Sequence, residues 1–413
     1  MIPLAEAQRR VRSRPWRDPG SEVVPVEQAL GRVLSAAPSS DQDLPPFDRV
    51  TMDGYAVIAD DIRRGSSHRC IGEVAAGATA LRPLQRGEVY RVMTGAPLPS
   101  GADAVIRQED AIEESDGVRF QGTVSAGANI HARGTDLRQG AAPLKSGDRI
   151  FPASVPLLLT LGCRFVSVYR RPTVAIITSG DELVAPEQVP SPSKIRDSNR
   201  LSLAAQTLTA GGLPTCLPIV PDDRHRLHEA FATTRGMDLI LLVGGSSAGK
   251  FDYSSTVVSE SGAHLWFDQV AIQPGKPVQY FTTEGQQIFC LPGNPVSAFV
   301  TFELLVRPVI ERFQGLRAVD PVPLRMRCTR AAKAPAQRDL FLVARISAGS
   351  AIPGEWTVEP IRWSGSGDLV SLSRANGLVR VAMGGEALVG STVDVFLLPS
   401  AAVDLPRFED RSP

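Results

Sequence analysis

Three short segments carry glycines, hydroxyls and acids where an apolar run gives way to a more polar one. They are Thr178-Ser179-Gly180-Asp181-Glu182, then Gly244-Gly245-Ser246-Ser247-Ala248-Gly249-Lys250-Phe251-Asp252, then Leu291-Pro292-Gly293-Asn294-Pro295-Val296-Ser297. Small residues at a strand-to-helix turn leave backbone N–H groups pointing outward, and such N–H groups bind anions. Glu182 and Asp252 stand at two of these turns. Two carboxylates beside an anion cradle suit Mg2+, which bridges to phosphate oxygens. The plainer alternatives are three ordinary turns, a helix cap at Asp252 and a solvated Glu182.

The second segment also matches two motifs that its neighbours undercut. Gly244–Lys250 has the spacing of a phosphate-binding loop, but Phe251 stands where a Ser or Thr must hold magnesium. Gly245-Ser246-Ser247-Ala248-Gly249 has the spacing of a serine-hydrolase nucleophile elbow. That chemistry needs a later acid and then a histidine, and only His264 follows, 17 residues after Ser247.

The elements that must position these loops follow from hydrophobic period. Thr173–Thr178, Asp238–Val243 and Gln287–Leu291 are continuous apolar runs of buried-strand length, and Pro214–Val220, Val270–Ile272 and Val278–Phe281 are further strand candidates. Ser198–Ala210, Arg224–Thr234, Tyr253–Ser261 and Pro295–Phe313 have helical spacing. Alternating strands and helices predict a doubly wound, parallel α/β domain over 171–316, whose ligands bind beyond the carboxyl ends of the strands. Residues 41–139 are short β-like runs cut by Gly and Pro, which predicts a β-rich domain inserted into a helical module made of 1–40 and 140–170. Within that module, Val26–Ser35 and Ala153–Leu161 are the helix candidates. Residues 317–413 return to short strands and turns, a second β-rich domain.

Composition narrows the class. The 413 residues balance 44 Lys and Arg against 44 Asp and Glu, so there is no electrostatic case for nucleic acid or an anionic membrane. The longest apolar runs, Val155–Gly162 and Leu239–Gly245, fall far short of the ~20 residues of a membrane span. The five cysteines are scattered without a CxxC pair, as expected of buried thiols in a cytoplasmic protein.

The inserted block adds Pro45-Pro46-Phe47-Asp48, Thr51-Met52-Asp53-Gly54-Tyr55-Ala56, Met93-Thr94-Gly95-Ala96-Pro97-Leu98-Pro99 and Gly134-Thr135-Asp136. By chemistry alone these are turns with acidic or hydroxyl side chains. In order along the chain, however, PPFD-x-x-x-MDGYAV, MTGAPLP-x-GADAV, SGDEL, GG-x-S-x-G-x-x-D, PGKP and LPGNPVSA closely resemble the MoeA family of molybdopterin molybdenumtransferases, which includes a domain of gephyrin.

The resemblance covers nearly the whole chain. It implies a homodimer of four-domain subunits that takes adenylylated molybdopterin and molybdate. Mg2+-dependent cleavage of the pyrophosphate then releases AMP as molybdenum enters the dithiolene. It implies a molybdopterin adenylyltransferase and cofactor-accepting molybdoenzymes as partners. Carried over by motif, Glu182, Asp222 and Asp252 are the metal- and phosphate-directed acids. Asp53, Thr94 and Asp136 face them from the other subunit. Gly244, Gly245, Ser247, Gly249, Lys276, Pro292, Gly293, Asn294, Pro295 and Ser297 contact the pterin substrate. Several family cations are replaced: Ser255, Gln269, Gln273 and Val343 stand where Lys or Arg is usual, and Lys250 where an acid is usual. Losing a charge-assisted contact costs about 1.5–3 kcal/mol. The alternative reading is therefore a catalytically impaired paralogue that carries, scaffolds or regulates the pterin or the finished cofactor.

Overall fold

The computed structural model describes residues 1–13, 18–244, 253–316, 321–348 and 355–398. They form two compact units. One comprises Val23–Leu30 and Ala36–Val166, and the other Met1–Glu22, Gly31–Ser35 and the described residues from Ser167 onward.

In the first unit, six strands form one sheet in the spatial order Ala104–Arg107, Gly54–Val57, Glu88–Val92, Ser67–Val74, Gly117–Phe120 and Ala111–Glu114. Successive side chains of a strand point to opposite faces. Tyr55 and Val57 therefore join one apolar core with Val89, Ala104, Ile106 and Phe120, while Ala56 joins Val74, Tyr90, Val92 and Val105 on the other. Gly54 is dictated by crowding: a Cβ there would lie 1.9 Å from the Ile106 carbonyl oxygen. A separate two-residue ladder pairs Arg49–Val50 with Ile130–His131. The helix expected near 153–161 is present as Ser154–Thr160.

The second unit is built on a six-stranded sheet in the order Leu213–Cys216, Thr173–Thr178, Leu239–Val243, Gln287–Leu291, Gln279–Thr282, His264–Phe267. The first four strands are parallel. The last two are antiparallel, so the sheet is mixed where the sequence predicts a parallel one. Val278–Phe281 and Gln287–Leu291 are too close in sequence for a crossover helix, and a hairpin results. The central strands are covered on both faces. Val174, Ile176, Leu239, Leu241, Val243, Phe289 and Leu291 pack with Leu203 and the Pro295–Phe313 helix, and Ala175, Ile177, Ile240, Leu242 and Ile288 pack with Leu227, Phe231 and Val257. That double cover explains the unbroken apolar runs.

Three further expectations change. Residues 1–40 are not uniformly helical. The helix is Leu4–Arg12, and Val26–Ser35 yields only the single 3-10 turn Val26–Gln28 after the strand Ser21–Pro25. Val23 and Val24 favour extended backbone, and Gly31 at φ 77° breaks any helical run. The long helix is continuous but holds a π segment, Phe302–Val306, between Pro295–Thr301 and Arg307–Phe313. Pro308 has no N–H to give, and the Leu304 carbonyl instead accepts from the Gln8 side chain at 3.2 Å. Ile272–Gln273 leaves the α/β sheet and pairs with Asp339–Ala348 of the C-terminal region. There Asp339–Ala348, Trp356–Pro360, Leu324–Cys328, Thr392–Leu397 and Gly377–Val381 close on themselves as a small barrel. Leu340, Leu342, Ala344 and Ile346 fill it, while Phe341 and Val343 face the α/β core.

Candidate functional site

A cavity of about 560 Å3 opens at the carboxyl ends of Thr173–Thr178 and Leu239–Val243. These two strands are sheet neighbours whose crossovers run to opposite sides, the switch point where doubly wound folds bind ligands. The volume is within the range of small-molecule sites. Glu182, Gly244, Pro292, Gly293, Asn294 and Pro295 line it, so the first loop, the start of the second and the third meet there.

Gly244 permits that convergence. Its φ is 110°, and a Cβ on it would sit 2.2 Å from the Ser179 carbonyl oxygen. Asn199 Nδ2 donates to the Gly293 carbonyl at 2.7 Å, tying two loops together. The N-termini of the Asn199–Thr209 and Pro295–Thr301 helices both reach the cavity wall, where their dipoles favour an anion.

The acids are held differently. Glu182 lines the cavity and folds over Gly180, where a Cβ would lie 2.6 Å from its Oε2. Asp222 is paired with Asp181: each donates its backbone N–H to the other's carboxylate, at 3.1 and 3.4 Å. The Lys194 ammonium donates to the Asp181 carbonyl. Asp222, Lys276 and Ser297 are not on the cavity wall: Lys276 is exposed, and Ser297 is buried in its helix. Gly245, Ser247, Gly249, Lys250 and Asp252 lie outside the described residues. Among the described residues no three His, Cys, Asp or Glu side chains form a metal cage. Mg2+ needs no such cage when phosphate oxygens supply further ligands, and the hard carboxylate donor of Glu182 on the cavity wall suits it.

Sequence reasoning missed Arg196, Asp197 and Ser198, and also Pro277, Gly367 and Leu369. Asp197 is almost fully buried and accepts from Thr178 Oγ1 at 2.7 Å and from the Arg200 N–H at 3.1 Å. Its signal was Asp197-Ser198-Asn199, a run of capping residues ahead of a predicted helix. Gly367 and Leu369 come from the C-terminal region, which is held to the third loop by Val296 N–H donating to the Ser366 carbonyl at 3.0 Å. Of the replaced cations, Val343 is buried in the apolar core, Gln269 and Gln273 are half-buried, and Ser255 lies on the Tyr253–Glu260 helix.

The first unit carries the remaining predicted acids. Asp53 Oδ1 accepts from the Thr94 backbone N–H at 2.7 Å and from its hydroxyl at 2.8 Å. The backbone bond, then the hydroxyl, hold the Asp53 carboxyl below its ordinary range, and nearby Arg91 adds to this. Asp136 joins neither of them but pairs with His131, Nε2 to Oδ1 3.0 Å. Arg49–Val50 links the two loops. Arg49 bridges to Pro97 and lies opposite His131, while Val50 exchanges backbone bonds with Gly95 and Ala96.

Comparison with known proteins identifies the domains of the chain. Residues 2–162 match the model of the MoeA N-terminal region (domain I and II), 175–312 a probable molybdopterin binding domain, and 325–398 the MoeA C-terminal region (domain IV). A molybdopterin molybdenumtransferase of a Nostoc species is 32% identical over 389 residues, which is 92% of this chain and 88% of that protein. The chain belongs to the molybdopterin molybdenumtransferase family. The Bacillus subtilis member is 35% identical over 324 residues, covering 75% of this chain and 74% of its own. The solved structure of a molybdopterin biosynthesis MoeA protein from Pyrococcus horikoshii OT3 superposes with a TM-score of 0.83 at 28% identity, over 96% of this chain and all of that one. Family membership makes this chain a transferase of molybdenum cofactor biosynthesis. Among the described residues no helix is long and apolar enough to cross a membrane.

Proposed function

We propose that this chain takes adenylylated molybdopterin and molybdate, cleaves the pyrophosphate with release of AMP, and leaves molybdenum in the pterin dithiolene. The observation that carries the reading is the cavity at the switch point, with Glu182 on its wall and two helix N-termini reaching it. The helix N-termini bind the anionic part of the substrate. Glu182 and Asp222, with Asp252, would hold Mg2+, which supplies neutralisation of the pyrophosphate charge. The pincer between Asp181 and Asp222 keeps the Asp222 carboxylate in place before substrate arrives. Asn199 and Gly244 fix the loop backbones against one another.

The proposal includes a homodimer in which Asp53, Thr94 and Asp136 of one copy serve the cavity of the other. It also includes the four-part division 1–40 with 140–170, 41–139, 171–316 and 317–413, a cytoplasmic location, and an adenylyltransferase and molybdoenzymes as partners. The test is reconstitution. Purified protein receives adenylylated molybdopterin, Mg2+ and molybdate, and AMP and active cofactor are followed. AMP release that is lost in Glu182→Ala supports the reading. Tight pterin binding without AMP release overturns it in favour of a carrier or regulator. Mixing inactive Glu182→Ala and Asp53→Ala chains tests the dimer. Random exchange restores about a quarter of wild-type activity if the acids act across a two-fold pair, and none if they act within one chain.

A further inference from the structure

We infer that His131 is a positioning residue for Asp136, held for that task by Arg49. The inference rests on the proposed role of Asp136 in the reaction. Arg49 and His131 are directly opposed in the antiparallel ladder between Arg49–Val50 and Ile130–His131, so their side chains leave the same face as neighbours. Arg49 Nη2 lies 3.3 Å from His131 Nδ1. A guanidinium nitrogen can only donate, so Nδ1 accepts. The ring proton of the neutral imidazole is then on Nε2, the nitrogen 3.0 Å from Asp136 Oδ1.

The chain Arg49–His131–Asp136 thus runs from a guanidinium donor through one tautomer of the neutral ring to one carboxylate oxygen. It limits rotation of the carboxylate and leaves Oδ2 for a substrate or water. The Asp136 side chain is more than half exposed and would otherwise sample several rotamers, whereas His131 is largely covered.

The surrounding loop does not depend on the imidazole. Asp136 and Leu137 donate their backbone N–H groups to the Leu44 carbonyl at 2.9 and 3.1 Å, Gly134 donates to Pro45, and Thr135 closes a turn onto Ala132. Removing the ring therefore frees the carboxylate while its backbone stays anchored. A merely structural histidine would show the opposite, a loss of stability with activity per folded molecule unchanged.

The experiment uses full-length protein and the AMP-release assay, with thermal midpoint measured alongside. His131→Phe removes donor and acceptor and is expected to lower kcat about 10- to 100-fold, with the midpoint unchanged. His131→Gln keeps an N–H donor and a carbonyl acceptor and is expected to restore most of the loss. In an Asp136→Ala background, His131→Phe is expected to add nothing. The inference is overturned if Asp136→Ala is inactive while His131→Phe is fully active, or if the two losses multiply. Full activity of Asp136→Ala overturns the role given to Asp136 and this inference with it. A wild-type protein that releases no AMP overturns the proposed function itself.

Discussion

Gly244→Ala is the sharpest test of how the cavity is built. The new Cβ would stand 2.2 Å from the Ser179 carbonyl oxygen, so two backbones must part by about 1 Å to reach ordinary contact. At φ 110° an L-residue is also strained, by about 1–3 kcal/mol. The bond most exposed to the shift is Ser179 N–H to the Val243 carbonyl, 2.9 Å, and its loss adds about 0.5–1.5 kcal/mol. The total of about 1.5–4.5 kcal/mol corresponds to a fall in thermal midpoint of about 3–9 °C. A 1 Å misplacement of the loops is expected to reduce AMP release by about 100-fold. Gly293→Ala is the matched control. Its Cβ meets nothing nearer than the Gly244 Cα at 3.8 Å, so its midpoint should move by no more than about 1 °C. Calorimetry and the AMP assay on both variants decide the matter. Wild-type midpoint and turnover in Gly244→Ala would refute the close approach of these loops.

Other consequences are equally direct. Thr94→Val removes the hydroxyl but keeps the backbone N–H, so the Asp53 pKa should rise only part of the way to its ordinary value; carboxyl NMR titration reads it, and an unmoved value refutes the assignment. Hydrogen bonds from Arg82, then Arg69, lower the Glu88 pKa from 4.5 to about 2. This carboxylate therefore stabilises the folded protein fully above about pH 4.5, and the contribution disappears as pH falls through about 2. Denaturant unfolding between pH 5 and pH 2 (the range chosen for the assay) should show a shallower acid loss in Glu88→Gln than in wild type. Arg170 makes two 2.9 Å bonds to the mostly buried Asp238, so Arg170→Ala should cost about 1–3 kcal/mol, measured by urea titration. Thr173, which also donates to Asp238, limits the loss.

Much of this was legible in the sequence because it is local. Thr173–Thr178, Asp238–Val243 and Gln287–Leu291 read as buried strands, since strands covered on both faces must be apolar throughout. The glycine and Asn-Pro turns after them announced the cavity wall, and MDGYA and MTGAP each contributed one partner of the bond between Asp53 and Thr94. Neither motif says that the two meet, 41 residues apart.

Tertiary structure decided that meeting and several others: Asp181 with Asp222, Asn199 with Gly293, and Asp136 with His131 and Arg49. It also decided that Ile272–Gln273 joins the C-terminal barrel and that Val343 belongs to an apolar core. The physical reason is one of range. Propensity and period act over a few residues, whereas strand partners and the acids they bring together are selected by burying whole faces at once.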